Sequence, residues 1–248
     1  MWRAAVWSAA YLLAFAVFAV VASARSTGNS LMAALTFVEC AVIAGAVALF
    51  AVYVDPRDRG LGPFLLRMGA VCGLTVLTSS LVLAGAWLLA GAGPIIGGLL
   101  AQLVIVAFGF LLASVFAIIR CLGAEPLFAQ LVSILVACAL MGTVFYANPI
   151  IEADWSSGTR STIIHATLAV NPVTAISSSL LGLDLMRSTR GQLMYDRISV
   201  LGGYLRGYPP WWETLCGHVG AALLVLAGAG LSRRRYLSRR AYERGVGR

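Results

Sequence analysis

From Met68 to Ile119 the chain carries no Asp, Glu, Lys or Arg. A membrane-spanning helix needs roughly 20 apolar residues, so this uncharged run is long enough for two. Gly91, Gly93 and Pro94 divide it, Gly and Pro being the strongest local breakers of helix. The run therefore predicts spans at 68–90 and 95–119. The rest of the composition agrees. The 248 residues are 60% hydrophobic and 11% charged, where soluble domains carry about a quarter charged residues, and the mean hydropathy is +0.89. The expected fold is an all-α integral membrane protein.

Four further spans complete the reading. Residues 4–24 follow Arg3. Ala22, Ser23 and Ala24 resemble a cleavage site, but the apolar stretch exceeds the ~7–15 residues of a signal core, so it is expected to stay as the first span. A polar turn from Arg25 to Ser30 leads to a second span at 32–54. Residues 127–147 form the fifth, after the turn Arg120–Pro126, and 211–232 the sixth. Between the second and third spans lies a charged elbow, 55–67. It belongs at a membrane surface, since a charge at the bilayer centre costs about 2.5–3.5 kcal/mol on the mildest scale. The net charge of +8 comes from 18 Arg and no Lys. With the N-terminus inside, Arg3, Arg57, Arg59, Arg67, Arg120 and the tail 233–248 all fall on one side, which the positive-inside rule makes cytoplasmic. Both termini are expected in the cytoplasm, in a multi-pass inner-membrane protein forming a single domain.

The long segment 148–210 is then exoplasmic. Ile164 and Leu168 share a helical face. After Asn171 and Pro172, the residues Val173, Ile176, Leu180 and Leu183 recur at helical spacing, opposite Thr174, Ser177 and Ser178. Pro172 suits the start of a helix. Each piece is too short to span, which predicts a broken helical hairpin lying on or dipping into the outer leaflet.

Few residues point to chemistry. The five cysteines are scattered singly, without disulfide or metal-ligand spacing. His165 and His218 have no ligand-type neighbours at helical spacing. Ser177, Ser178 and Ser179 with His165 and Asp184 lack the Gly-x-Ser-x-Gly turn of a hydrolase, so no catalytic residues are assigned. Without Lys the chain has no Walker-type phosphate loop, and any ATP it uses is bound by another subunit. No basic face interleaved with aromatics suggests nucleic acid. The Arg-rich tail reads as a topology anchor in contact with anionic lipid.

Glu39 is the one ionisable residue well inside a span, ~12 Å from Leu31 by helical rise. It reads as part of a polar pathway or an Arg partner, or else as a protonated or hydrogen-bonded carboxyl facing the bundle. Gln102 and the cluster Thr75, Thr78, Ser79 and Ser80 are expected to form hydrogen bonds between helices, and Gln102 is also the second candidate for a translocation path.

The layout resembles the permease subunit of ATP-binding-cassette transporters of the type-2 exporter class. The resemblance covers nearly the whole chain and implies six spans, an elbow acting as a coupling helix, and an exoplasmic hairpin broken at Asn171 and Pro172. Asp58, Arg59 and Gly60, followed by Leu61, Phe64, Leu65, Leu66 and Arg67, match the acidic-Arg-x-x-Gly elbow loosely. Gly62 and Pro63 depart from it, though Pro63 can open a helix. The later Tyr208 and Pro209 are also similar to that class. The resemblance implies two permease chains working with two ATPase subunits, and no cofactor on this chain. The alternative is a non-transporting assembly or scaffold component that binds a partner through its exoplasmic segment. A proton-coupled carrier would call for more intramembrane carboxylates and an internal repeat.

Overall fold

The computed structural model describes residues 38–47, 51, 54–90, 95–146, 148–179 and 208–246. The first span with its cleavage-like site, the turn 25–30, the Gly91–Pro94 break, and Leu180, Leu183 and Asp184 lie outside the described residues. Within them, all regular structure is helical. Ten helices follow in order: α1 Val38–Val47, α2 Pro56–Arg59, α3 Leu61–Ala90, α4 Ile95–Cys121, α5 Pro126–Met141, α6 Thr143–Tyr146, α7 Asn148–Glu152, α8 Ser157–Ala169, α9 Pro172–Ser179 and α10 Trp211–Val246.

Among the described residues, three stretches are long and apolar enough to cross a bilayer: Leu61–Leu81, Ile96–Cys121 and Trp211–Ser238. They differ in what covers them. Two thirds (67%) of the apolar window in α4 is buried against the chain, against 33% in α3 and 22% in α10. Helix α4 is therefore the hub, and α1, α3, α5, α9 and α10 surround it. The outer faces of the surrounding helices expose Leu74, Leu77 and Leu81 on α3, Leu127 and Leu131 on α5, and Leu223 and Leu224 on α10. Apolar faces left bare all round a bundle are what hydrocarbon covers.

Close approach at the hub uses glycine. A Cβ at Gly109 of α4 would lie 2.9 Å from Ile43 Cγ2 and 3.2 Å from Cys72 Sγ. Only a missing side chain lets α1 and α3 close on α4 at this level.

Several boundaries differ from the expectation, each for a local reason. The third span was placed at Met68, yet α3 begins at Leu61 and absorbs the second half of the elbow. Pro63 does not interrupt it, because the first four N–H groups of a helix have no intrahelical acceptor to lose. The fifth span was drawn to 147, but α5 stops at Met141, with the Gly142 N–H closing on Cys138 O. The sixth was ended at 232, whereas α10 continues through the Arg-rich tail to Val246, Arg being a good helix former. The end of α4 matches the sequence: Gly123 at φ +102° accompanies bonds from Ala124 N to Ile119 O and from Gly123 N to Arg120 O. This is a Schellman cap, in which glycine takes the left-handed position without strain.

Helices α8 and α9 flank the Asn171–Pro172 break as the spacing predicts, but their surroundings differ from the expectation. Ile164 and Leu168 are buried on one face of α8. Helix α9, however, is not half wet. Thr174, Ser177 and Ser179 are buried along with Val173 and Ile176, because α9 packs against α4, α10, α8 and α5. Their hydroxyls donate to main-chain carbonyls, Thr174 to Leu168 O, Ser177 to Val173 O and Ser179 to Ile176 O. A polar stripe satisfied in this way can be buried without the penalty that an amphipathic reading assumes.

Candidate functional site

Three polar clusters interrupt the apolar bundle: one inside it, one at the elbow and one at the opposite end.

Inside the bundle, Glu39 on α1 and Gln102 in the third turn of α4 are both buried. Gln102 Nε2 donates to Glu39 Oε2 at 2.7 Å. The Ser79 hydroxyl of α3 reaches the same carboxyl. Glu39 Oε1 and Gln102 Oε1 have no hydrogen-bond partner. The two residues singled out separately for an intramembrane path thus form one pair. Of the hydroxyl cluster in α3, Ser79 reaches another helix, while Thr75 and Thr78 donate within their own helix, to Val71 O and Thr75 O.

At the elbow, Asp55 caps α2 by accepting from Arg57 N at 2.9 Å, with Pro56 pre-set at the first helical position. Gly60 ends this single turn at φ +96°, and α3 starts at the next residue. The other carboxylate oxygen of Asp55 accepts from Arg120, in the last turn of α4, which also donates to Ala124 O. Arg120 is buried and the Asp55 side chain is 25% exposed. From α10, Arg233 Nε donates to Arg57 O at 3.2 Å, and the Arg57 guanidinium lies 3.8 Å over the Tyr236 ring, a cation–π contact. The elbow is therefore clamped to the end of α4 and to the middle of α10.

This clamp sorts the elbow residues expected to dock a partner. Phe64 is fully buried and stacks on Phe116 of α4 with ring centroids 5.9 Å apart. Leu61 and Leu65 also pack toward the core, and Gly60 lies against the Arg233 guanidinium. These four hold the elbow on the bundle. Asp58, Arg59, Leu66 and Arg67 are exposed, Leu66 at 78%, and they form the free face. The partners Arg120, Arg233 and Tyr236 were not singled out from sequence. The one available signal was Arg120 itself, the first charge after a long uncharged run and facing an elbow that carries Asp55.

At the opposite end, Asn171 is fully buried and uses both ends of its amide. Its Oδ1 accepts from Val173 N at 2.8 Å, capping α9, and its Nδ2 donates to Met141 O and Thr143 Oγ1. The final carbonyls of α8 are taken up by α10: Thr214 bonds Ala169 O at 2.7 Å and His218 Nε2 bonds Val170 O at 3.0 Å. The break between α8 and α9 is thus a structural knot. His165 pairs with Glu213 at 2.7 Å, not with Ser177 or Ser179. Among the described residues no group of three or more His, Cys, Asp or Glu could hold a metal ion.

Among the described residues, these features define an all-helical arrangement with three helices able to cross a membrane, a polar pair in its interior and a clamped elbow at one end. Compared with known proteins, the chain matches no family model, no curated sequence and no solved structure.

Proposed function

We propose that the chain is the membrane permease subunit of an ATP-driven transporter of the ATP-binding-cassette type-2 class, moved by a separate ATPase subunit seated on the elbow. The observation that carries this reading is the clamp. Asp55–Arg120 and Arg57–Arg233 tie the elbow to the hub helix α4 and to α10, while Asp58, Arg59, Leu66 and Arg67 face outward. A push on that free face passes directly into the two helices that meet at the centre of the bundle, which is what a coupling element must do.

In this reading the elbow and both termini are cytoplasmic in the inner membrane, α8 and α9 are exoplasmic, and the chain spans six times. Two such chains pair with two ATPase subunits, and the permease binds no cofactor of its own. Affinity purification in mild detergent, with mass-spectrometric identification of partners, tests it. A stoichiometric soluble ATPase carrying the phosphate loop absent here is the expected result, and Arg59→Glu should then abolish coupled ATP hydrolysis while leaving membrane insertion intact. Recovery of exoplasmic partners alone would overturn the permease reading in favour of an assembly or scaffold component.

A further inference from the structure

The interior pair has a bonding deficit that one added particle would remove. Glu39 Oε2 accepts from Gln102 Nε2, and the two atoms left without partners are the remaining oxygens of the same two groups, Glu39 Oε1 and Gln102 Oε1. Both are acceptors, and both are sealed from solvent. An acceptor pair of this kind lacks a hydrogen. A carboxylic acid and a primary amide complete each other through two parallel bonds, N–H to carbonyl and O–H to carbonyl, once the acid carries its proton. Left ionised, the carboxylate would be an unpaired charge in an apolar interior, the most expensive buried group there is.

The surroundings offer no alternative counter-charge. Among the described residues no cationic side chain acts on Glu39. The buried titratable groups on the elements around it are Cys40 beside it on α1, Cys72 on α3, Arg120 and Cys121 at the far end of α4, and His218 on α10; Arg67 on α3 and Glu213, Cys216, Arg233, Arg234 and Arg235 on α10 are not buried. His218 bonds Val170 O and packs on Phe108. Helix α9 contributes none. Arg120, on α4 itself, lies about 27 Å along the helix from Gln102 and is engaged by Asp55. A metal cation would want about six oxygen ligands, against the carboxyl, one amide oxygen and the Ser79 hydroxyl.

We propose that Glu39 and Gln102 form a proton-binding site, in which the Glu39 carboxyl holds one proton at neutral pH and donates it from Oε1 to the Gln102 carbonyl, clasping α1 to α4 by two bonds. This stands apart from the permease reading. It makes the α1–α4 contact proton-linked: a glutamate undocked into water titrates at about 4.3 and is ionised at neutral pH, so docking takes up a proton and separation releases one. Raising the pH therefore weakens the contact.

Infrared spectra of the full-length protein at neutral pH, wild type minus Glu39→Gln, test the site. The expected result is a protonated-carboxyl carbonyl band equivalent to one group per chain, shifting in heavy water; carboxylate bands alone would overturn the proposal. Glu39→Gln keeps the fold testable, because an amide–amide pair makes the same two bonds. Its melting temperature should stay near the wild-type value at neutral pH and lose the alkaline fall that the wild type shows. An identical alkaline fall in both proteins would refute the site, as would stabilisation by sodium over choline chloride accompanied by carboxylate bands.

Discussion

Removing the two partners of the Asp55–Arg120 pair one at a time should have unequal consequences, and the inequality follows from their burial. Arg120 retains 9% of its side-chain exposure and Asp55 25%. Asp55→Asn leaves a guanidinium buried at the end of α4 with only Ala124 O as acceptor. Breaking a buried pair from one side costs roughly 3–5 kcal/mol, and the lower end, about 3, suits a pair whose Asp55 partner is partly exposed. Asparagine still caps a helix well, so α2 survives. Asp55→Ala also loses the bond from Arg57 N, adding about 1 kcal/mol. Arg120→Ala is milder, because Asp55 keeps its capping bond and rehydrates. One hydrogen bond to a charged group is lost, about 2 kcal/mol. The expected order of destabilisation is Asp55→Ala, Asp55→Asn, Arg120→Ala, with the double mutant Asp55→Asn/Arg120→Ala falling short of the sum by about 1–3 kcal/mol. Reversible unfolding in mixed micelles, followed by circular dichroism, measures all four. Arg120→Ala proving as costly as Asp55→Asn, or a strictly additive double mutant, would refute the reasoning.

Phe64→Ala should cost about 3–5 kcal/mol as a core truncation, whereas Leu66→Ala should leave stability within about 0.5 kcal/mol and reduce recovery of the proposed ATPase subunit in a pull-down. The reverse pattern would return Phe64 to the docking face. Asn171→Ala removes the cap of α9 and the donor to Met141 O, which predicts a loss of about 2–3 kcal/mol in the same unfolding assay. Gly109→Ala should cost about 1–3 kcal/mol by overpacking, and less when combined with Ile43→Ala, since the new methyl would meet Ile43 Cγ2 at 2.9 Å. Additivity of that pair would place the strain elsewhere.

What could be read locally was read well. The uncharged run and its flanking breakers located α4 to within two residues at its end, since helix limits in a bilayer follow from apolar length and from Gly and Pro. The Asn171–Pro172 break was legible because cap chemistry is short-range. Boundaries failed where a residue's effect depends on its position in a helix, as with Pro63 inside a first turn, or where helix propensity carried α10 on through the Arg-rich tail.

Sequence by itself determined that the chain forms helices apolar enough to cross a membrane, that Glu39 is exceptional, and that 55–67 is a charged interruption between apolar segments. Those properties depend on solvent preference and local backbone chemistry, which each segment carries with it. Only the tertiary structure decided that Glu39 meets Gln102, that Arg120 and Arg233 grip the elbow, that Phe64 faces inward, and that the hydroxyls of α9 are buried. Each joins positions far apart in the chain, such as Glu39 with Gln102 or Arg57 with Arg233. Which face of one helix meets which face of another is set by packing around α4, and no single helix's pattern contains it.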